Sequence, residues 1–459
     1  MSFDTIIKGC NIVLSEKIVL GSVGIENGRI AALLAPDTDL KARYIILANG
    51  LFLLPGIIDI HCHIRAPAYP ERASVESETL ACAAGGITTV FEMPITNPCC
   101  NSPSQIKLRK DHFIGKSAVD FALYAAPREL NKKTINDLAD SGIVAFKIFT
   151  TTSPIGREAE FDGLTWPEEA DQLKALNLIA ETGLPIVVHA ESASLLRQAA
   201  IDVKDINPAM AKIHGLSRPA SAEALAVAKL LTLNMTAKAK LHIAHVSSAL
   251  TVDVLRRFHG SSDFTAETCP HYLRYTEKDV EKSGVAAKIN PPIRKSEDRK
   301  AIWQAIEDGI ISHVTTDHAT YTKSEKLKYK DNFLLAPPGH PGIETMLPIM
   351  LDALSAGSIN LHKISALMST NPAHRFGLKD RGIIEVGKRA DLVLIDIAKK
   401  TNITQNSLLT SGKDNALLNI GESFNGRLEK TILNGTTIWE LGSKKIDYAG
   451  AFVSPALDH

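Results

Sequence analysis

The sequence predicts an α/β protein: a (β/α)8, TIM-like barrel carrying a small β-sandwich domain built from both chain ends. Three observations lead there. Between residues 55 and 380, short apolar, β-branched runs alternate with amphipathic stretches of helical period, eight times over. The two ends, 1–54 and 381–459, hold only short strand-like pieces, and neither is long enough for a comfortable core of its own. Residues with metal-binding chemistry recur at the C-terminal ends of the strand candidates, the face on which barrels build their sites.

Taken in order, TIIKGCNIVL and GSVGIENGRIAALL read as strands, with Asn27–Gly28 as a hairpin turn. The barrel strand candidates are Gly56–His63, Thr88–Met93, Val119–Tyr124, Ile143–Phe149, Pro185–His189, Leu241–Val246, Phe264–Glu267 and Ile311–Thr316. Helices are expected between them at Glu78–Ala84, Ser104–His112, Thr134–Ala139, Pro167–Thr182, Ala220–Leu233, Thr251–Phe258 and Ser296–Glu307, and after them at Gly342–Gly357 and Lys363–Thr370. Near-continuous apolar strands between amphipathic helices imply a parallel sheet covered on both faces. Beyond Asn371–Pro372 and Gly377, ADLVLIDI and KTILNGTTIW return the chain to the β-rich domain.

Composition narrows the function classes. Lys plus Arg equals Asp plus Glu at 51 each, so no global positive field favours nucleic acid. The basic residues of 323–330 alternate with acids and aromatics and read as solvated loop charges. Six cysteines in 459 residues are too few for a disulfide scaffold, and reduced thiols in a cytoplasmic protein are expected. The N-terminus lacks the pattern of a secretory signal. The most apolar region, Tyr44 to Ile60, is broken by Asn49, Pro55 and Gly56 and makes a poor membrane span.

The chemistry begins in LFLLPGIIDIHCHIR, 51–65. Side chains alternate along a strand, so His61 and His63 share a face while Cys62 points away. Two imidazoles on one face are half of a metal site. Lys147 in VAFKIF, His189 in PIVVHAE, His245 in LHIAHVSS and Asp317 in HVTTDHA supply further groups at later strand ends. A protonated amine cannot ligate a metal, but a desolvated, neutral Lys147 can take up carbon dioxide as a carbamate whose oxygens bridge two ions. The expected set is His61, His63, Lys147 and Asp317 on one divalent ion and Lys147, His189 and His245 on the other. Zinc suits these ligands, with manganese, cobalt or iron as alternatives. An ordinary salt-bridged Lys147 beside a mononuclear site is the bland alternative. Two ions ~3.5–4 Å apart lower the pKa of a water held between them towards neutrality. Asp317 is the candidate general base, which predicts hydrolysis with no organic cofactor.

At the rim, Arg65 is placed to clamp a carboxylate or carbonyl, and Asn290 in KINPPIR to meet an amide edge. His271 in ETCPHYL is placed to orient a ligand or water from behind. Two long segments, Thr150–Trp166 and Tyr321–Gly342, are expected over the mouth.

With PGIIDIHCHIR, AAGGITTVFEMP, VAFKIF, VVHAES, HIAHVSS, ETCPHYL, KINPPIR, TTDHA, GIETMLP and GKRADLVLID in this order, the chain resembles the amidohydrolase superfamily. The resemblance is to its cyclic-amide branch of dihydroorotases, allantoinases and hydantoinases. It implies a binuclear barrel hydrolase that opens the C–N bond of a cyclic amide, with Lys147 carboxylated and a homodimer or homotetramer as the usual assembly. KINPPIR, GIETMLP and Arg65 make dihydroorotase the nearest label. Yet Ile95 stands where that enzyme usually has Asn, and Tyr321 where it usually has His, so two of three carboxylate anchors are missing. Ile95 then makes an apolar wall and Tyr321 a ring with a hydroxyl, which favours a substituent without charge. Allantoinase or hydantoinase/dihydropyrimidinase activity is the alternative. Further alternatives are a deaminase on the same metals and a non-catalytic scaffold, although a scaffold would be expected to lose ligands.

Overall fold

The computed structural model describes residues 2–38, 41–443 and 448–456. The barrel is one parallel sheet running in chain order through Ile57–His63, Ile87–Glu92, Asp120–Ala125, Ala145–Phe149, Ile186–His189, Leu241–Ile243, Phe264–Thr268 and His313–Val314. Each strand pairs with the next. The chain then bends, and His318–Ala319 pairs in parallel with the first strand. The eighth position is thus filled by two short pieces, the first hydrogen-bonded to one neighbour and the second to the other, and together they close the ring.

All seven residues of Ile57–His63 are buried, Asp59 and the two histidines included. Cys62 faces outward, into the core between strands and helices. The floor of the barrel is plugged from below: Phe376 packs edge-on against Phe91 at 5.3 Å and Tyr124 at 6.3 Å. The Tyr124 hydroxyl donates to the Ile60 carbonyl at 2.9 Å. A sealed floor leaves the C-terminal rim as the accessible end.

The chain ends meet in one mixed sheet. Its path runs Thr436–Glu440, Ser423–Leu433, Leu392–Asn402, Phe52–Pro55, Ser2–Val13, Ile18–Glu26 and Arg29–Leu34, and Lys41–Leu47 also pairs with Ser2–Val13. The seam is the antiparallel pairing of Phe52–Pro55 with Leu392–Ile395. The sheet curls around Ile7, Ile12, Val23, Leu53, Leu392 and Ile432. Its two tight hairpins both turn on Asn-Gly, at Asn27–Gly28 (φ 51° and 73°) and Asn434–Gly435 (φ 50° and 77°), the left-handed pair that a two-residue connection needs.

Several element ends differ from the sequence reading. The first barrel helix is Val75–Ala84, starting earlier because Ser74 caps it in a reciprocal box with Ser77. The Ala220 helix runs on to Ala237. The sixth strand stops at Ile243 and the eighth at Val314, because the chain enters left-handed backbone at His245 (φ 39°) and Asp317 (φ 45°). Helices Ala193–Asp202 and Lys212–Ser217 were not anticipated. The final helical stretch begins at Leu361 and passes into a π-helical turn, Ala366–Thr370.

Candidate metal centre

His61, His63 and Asp317 converge at the rim. Their donor atoms all lie within 4.8 Å of one another. Asp317 Oδ1 is 3.3 Å from His61 Nε2 and 3.2 Å from His63 Nε2. Burial pushes the His63 imidazole down to about 3, against the pull of Asp317. Burial opposes ionisation of Asp317, yet His61, His63 and His245 hold its carboxyl far below the usual carboxylate range. A neutral His63 imidazole and an ionised Asp317 carboxylate are protonation states that ligation requires.

The second cluster faces the first. His189 Nδ1 and His245 Nε2 are 2.9 Å apart, and the His61 and His245 rings lie 5.4 Å apart, centre to centre. Lys147 is fully buried, and its amine has no hydrogen-bond partner among the described residues. Burial pulls its pKa down to about 8, while Glu267 and Asp317 pull it back up. At pH 7 about a tenth of such a group is a neutral amine, against about one in three thousand for an ordinary lysine. The same amine acts electrostatically on His189 and His245, as Asp317 acts on it.

The left-handed bend at Asp317 is held from both sides by buried carboxylates. Asp59 accepts from the Thr316 N–H at 3.1 Å and its hydroxyl at 2.6 Å. On the other side His318 Nε2 pairs with Glu78 at 3.0 Å, and its Nδ1 accepts from the Gly342 N–H at 3.1 Å. A non-glycine residue at positive φ persists where its surroundings over-determine it.

Three functional carboxylates escaped the sequence reading. Glu267 pairs with His61 Nδ1, with His242 Nε2 at 3.0 Å and with the His245 N–H at 3.2 Å. Glu191 holds His189 Nε2 at 2.7 Å and pairs with Arg218. Glu92 accepts the N–H groups of Ile64 and Arg65, each at 2.7 Å, and pairs with Arg109. Each sits inside a motif already singled out (ETCPHYL, VVHAES, FEMP). The detectable signal was a charged residue within or just past a strand whose other residues are buried on both faces, where only a paired carboxylate can reside. Glu267 and Glu191 leave His61 Nε2 and His189 Nδ1 as the free nitrogens, both turned into the site.

The rim residues divide into two groups. Arg65, itself at φ 63°, is 5% exposed and has no ion-pair partner among the described residues; its Nε and Nη1 are buried and unpartnered. Its guanidinium lies 5.0 Å from the Tyr321 ring centre, and Arg72 lies 4.7 Å from the same ring. Burial raises the Tyr321 hydroxyl's pKa, but Arg65, Arg157 and Arg72 outweigh it and set it below the ordinary tyrosine value. Ile95 instead joins Cys99, Ala126, Phe149, Phe161 and Leu164 in a separate apolar cluster, and Phe149 stacks on His189 at 4.6 Å. The Asn290 Oδ1 is buried without a partner, as is His271 Nε2. His271 borders a cavity of about 10 Å³, also lined by His340, Thr316 and Asn419.

The donor set fits metal ions. Lys147 Nζ, His63 Nδ1 and His245 Nδ1 are buried and unpartnered, and the imidazole and carboxylate donors around the amine are of the kinds that divalent ions take. Fold and site together define a β/α barrel with a metal-binding group at its C-terminal rim. The chain belongs to the amidohydrolase family, whose model matches residues 52–438.

The chain is similar to other proteins over nearly their whole length. An allantoinase of Solibacter usitatus is 32% identical over 456 residues, covering 98% of this chain and 97% of that protein. An allantoinase of Escherichia coli K12 is 32% identical over 447 residues, covering 96% of each. The structure of an L-hydantoinase (dihydropyrimidinase) from Arthrobacter aurescens superposes with a TM-score of 0.93 at 29% identity, covering 98% of this chain and all of that one. These relatives carry allantoinase and hydantoinase names, not the dihydroorotase label that KINPPIR and Arg65 pointed to. The chain is a cyclic-amide hydrolase of that branch. Among the described residues no helix is long and apolar enough to cross a membrane.

Proposed function

We propose that the chain is a binuclear metal-dependent hydrolase of allantoinase or hydantoinase type, opening the amide C–N bond of a five- or six-membered cyclic amide. The observation that carries the reading is a buried, unpartnered Lys147 amine on the barrel strand next to that of His189, in a site where His61, His63 and Asp317 converge and His189 meets His245. The neutral amine adds to carbon dioxide; an N–C bond forms, one proton leaves, and the carbamate gains two oxygens for bridging. His61, His63, Asp317 and the carbamate would hold one ion, and the carbamate, His189 and His245 the other, zinc before manganese, cobalt or iron. When bound, the pair supplies Lewis acidity towards the amide carbonyl and acidifies water.

The chain's own groups do the rest. Asp317 Oδ1, set between two imidazole nitrogens, takes the proton from the attacking water and returns it to the ring nitrogen as the C–N bond breaks. Arg65 and the Tyr321 hydroxyl face the substituent, and Asn290 the amide edge, while Ile95 and Phe149 form an apolar wall on the opposite side. His271 supports the Asp317 side from behind. A ureido substituent, uncharged and rich in carbonyl and N–H groups, answers the unpaired guanidinium without needing the missing carboxylate anchors. This agrees with allantoin ring opening in the relatives' names. The division into 1–54, 55–380 and 381–459 and a cytoplasmic location, to which six free, buried cysteines lend support, complete the proposal.

The test is metal content followed by turnover on allantoin, hydantoins, dihydrouracil and dihydroorotate. We expect two equivalents per chain and ring opening of allantoin or a hydantoin in preference to dihydroorotate. Tightly held metal with no hydrolysis across the panel would mark a scaffold instead.

A further inference from the structure

Two polar residues on the barrel's inner face, Thr265 and His242, have no part in the reaction proposed above. Thr265 and Glu267 lie two apart on the strand Phe264–Thr268, so alternation turns both to the same face. His242 stands directly across from Thr265 in the parallel pairing of Leu241–Ile243 with that strand. Its ring therefore offers a near and a far nitrogen to the neighbouring strand. Nδ1, close to the backbone, lies 2.7 Å from the Thr265 hydroxyl, and Nε2 reaches towards the rim, 3.0 Å from Glu267 Oε2. His313 and Phe376 pack edge-on against the same ring at 4.9 and 5.8 Å, centre to centre. His242 and Glu267 are wholly buried.

We infer that Thr265 and His242 are positioning residues for the metal centre: the Thr265 hydroxyl selects the tautomer of His242, and His242 sets the carboxylate that aims His61. This role rests on His61 and His245 being ligands, as proposed above. Glu267 Oε1 serves His61 Nδ1 and the His245 N–H, while Oε2 meets His242. An ionised carboxylate only accepts, and His61 and His242 keep Glu267 ionised against burial. Burial outweighs the pull of Glu267 on His242 and holds its pKa below the ordinary value, so near neutral pH the ring carries one proton. That proton sits on Nε2, donated to Glu267, and Nδ1 is left as a lone pair. The Thr265 hydroxyl then donates to Nδ1. The other tautomer would set a bare nitrogen against a buried charge, and such a charge is tolerated only where hydrogen bonds serve it. Thr265 and His242 thus determine how the Glu267 carboxylate turns, and with it where His61 Nε2 points.

Tautomers are read directly by nitrogen-15 NMR, because protonated and bare ring nitrogens resonate far apart. In full-length protein labelled at histidine, with zinc and without it, the signals lost in His242→Gln are expected to be those of a neutral ring protonated on Nε2 alone. Thr265→Val keeps the size of the side chain and removes the hydroxyl. It is expected to shift the His242 proton towards Nδ1 and to weaken zinc binding ~10-fold in chelator competition, as loss of a partner behind a ligand typically does. Thr265→Ser is expected to restore both readings. His242→Gln, whose amide can donate to Glu267, should hold zinc more tightly than His242→Leu, which cannot. A wild-type His242 protonated on Nδ1 overturns the proposal, and that spectrum decides even if Thr265→Val fails to fold. So does a Thr265→Val protein whose tautomer and zinc affinity match the wild type, or a Thr265→Ser protein as weak as Thr265→Val. Wild-type protein that binds no zinc overturns the ligand reading underneath, an outcome distinct from normal zinc binding with the wrong tautomer.

Discussion

Nδ1 of His189 and Nε2 of His245 face each other at 2.9 Å from neighbouring barrel strands. Burial holds both imidazoles below their ordinary pKa, so they share a single proton along this line. Glu191 already occupies the other nitrogen of His189, and its own carboxyl is kept ionised by Arg218 and His189 despite burial. Of the pair's four ring nitrogens, His245 Nδ1 is left buried and without a partner among the described residues. Zinc added to metal-free protein is expected to bind with two equivalents, and His189→Ala or His245→Ala to retain about one. Lys147→Ala should retain fewer than two and lose turnover. Two tight equivalents in that variant, by elemental analysis, would remove the lysine from the bridge.

Glu267 ties the first group to the second, because the same carboxylate meets His61, His242 and the His245 backbone. Such partners fix the tautomer and aim of a ligating ring, and their loss typically weakens metal binding ~10–100-fold. Glu267→Gln is expected to do so, measured by chelator competition. Burial opposes ionisation of its carboxyl, but His61 and His242 outweigh burial and hold its folded pKa far below the ordinary value of 4.5. The stability it contributes is therefore complete above that unfolded value and is lost as pH falls below it through the depressed folded one. The variant's unfolding free energy should consequently vary less with pH at the acid end.

Tyr321 and Ile95 test substrate choice from opposite walls. Tyr321→Phe keeps the ring that Arg65 and Arg72 lie against but removes the buried hydroxyl. Losing one substrate hydrogen bond of ~1–1.5 kcal/mol should lower kcat/KM on the best substrate about five- to tenfold. Ile95→Asn combined with Tyr321→His should raise dihydroorotate turnover if these positions exclude its carboxylate. No gain at unchanged metal content would show that the selectivity lies elsewhere.

The paired histidines were legible because alternation along a buried strand leaves no other placement for His61, Cys62 and His63. The barrel was legible because its strands and helices differ in period. What periodicity cannot carry is a bend: His245 and Asp317 lie past strands that end early, in left-handed backbone held by Asp59, Glu78 and other distant residues. Glu267, Glu191 and Glu92 were hidden for a related reason. Their roles depend on which imidazole or backbone N–H each one meets across the barrel, and sequence spacing is silent on that. The apolar character of Ile95 was legible, but its neighbours in the cluster with Phe149, Phe161 and Leu164 come from distant parts of the chain.

Glu344 provides a pH test at a carboxylate outside the candidate ligand set. Its oxygens accept the Leu409 N–H at 2.8 and 3.0 Å and the Thr410 N–H at 3.0 Å, and Glu78 nearby accepts from the Thr410 hydroxyl and the Ser411 N–H. The two carboxylates fasten a segment from the terminal domain whose Asn415 donates to the Tyr321 carbonyl at 2.5 Å. Burial, reinforced by the charge of Glu78, raises Glu344 to about 7 against the backbone bonds that favour its ionised form. The folded state thus binds the extra proton between the ordinary value of 4.5 and about 7, so stability falls as pH rises across that window and levels off above it. Glu344→Gln keeps an acceptor for the N–H groups without the buried charge. It should gain up to ~3 kcal/mol relative to wild type at pH 8 and little at pH 4.5, seen as a flatter plot of Tm against pH. Parallel plots for the two proteins would mean that Glu344 titrates normally and that the strap is held by Glu78 alone.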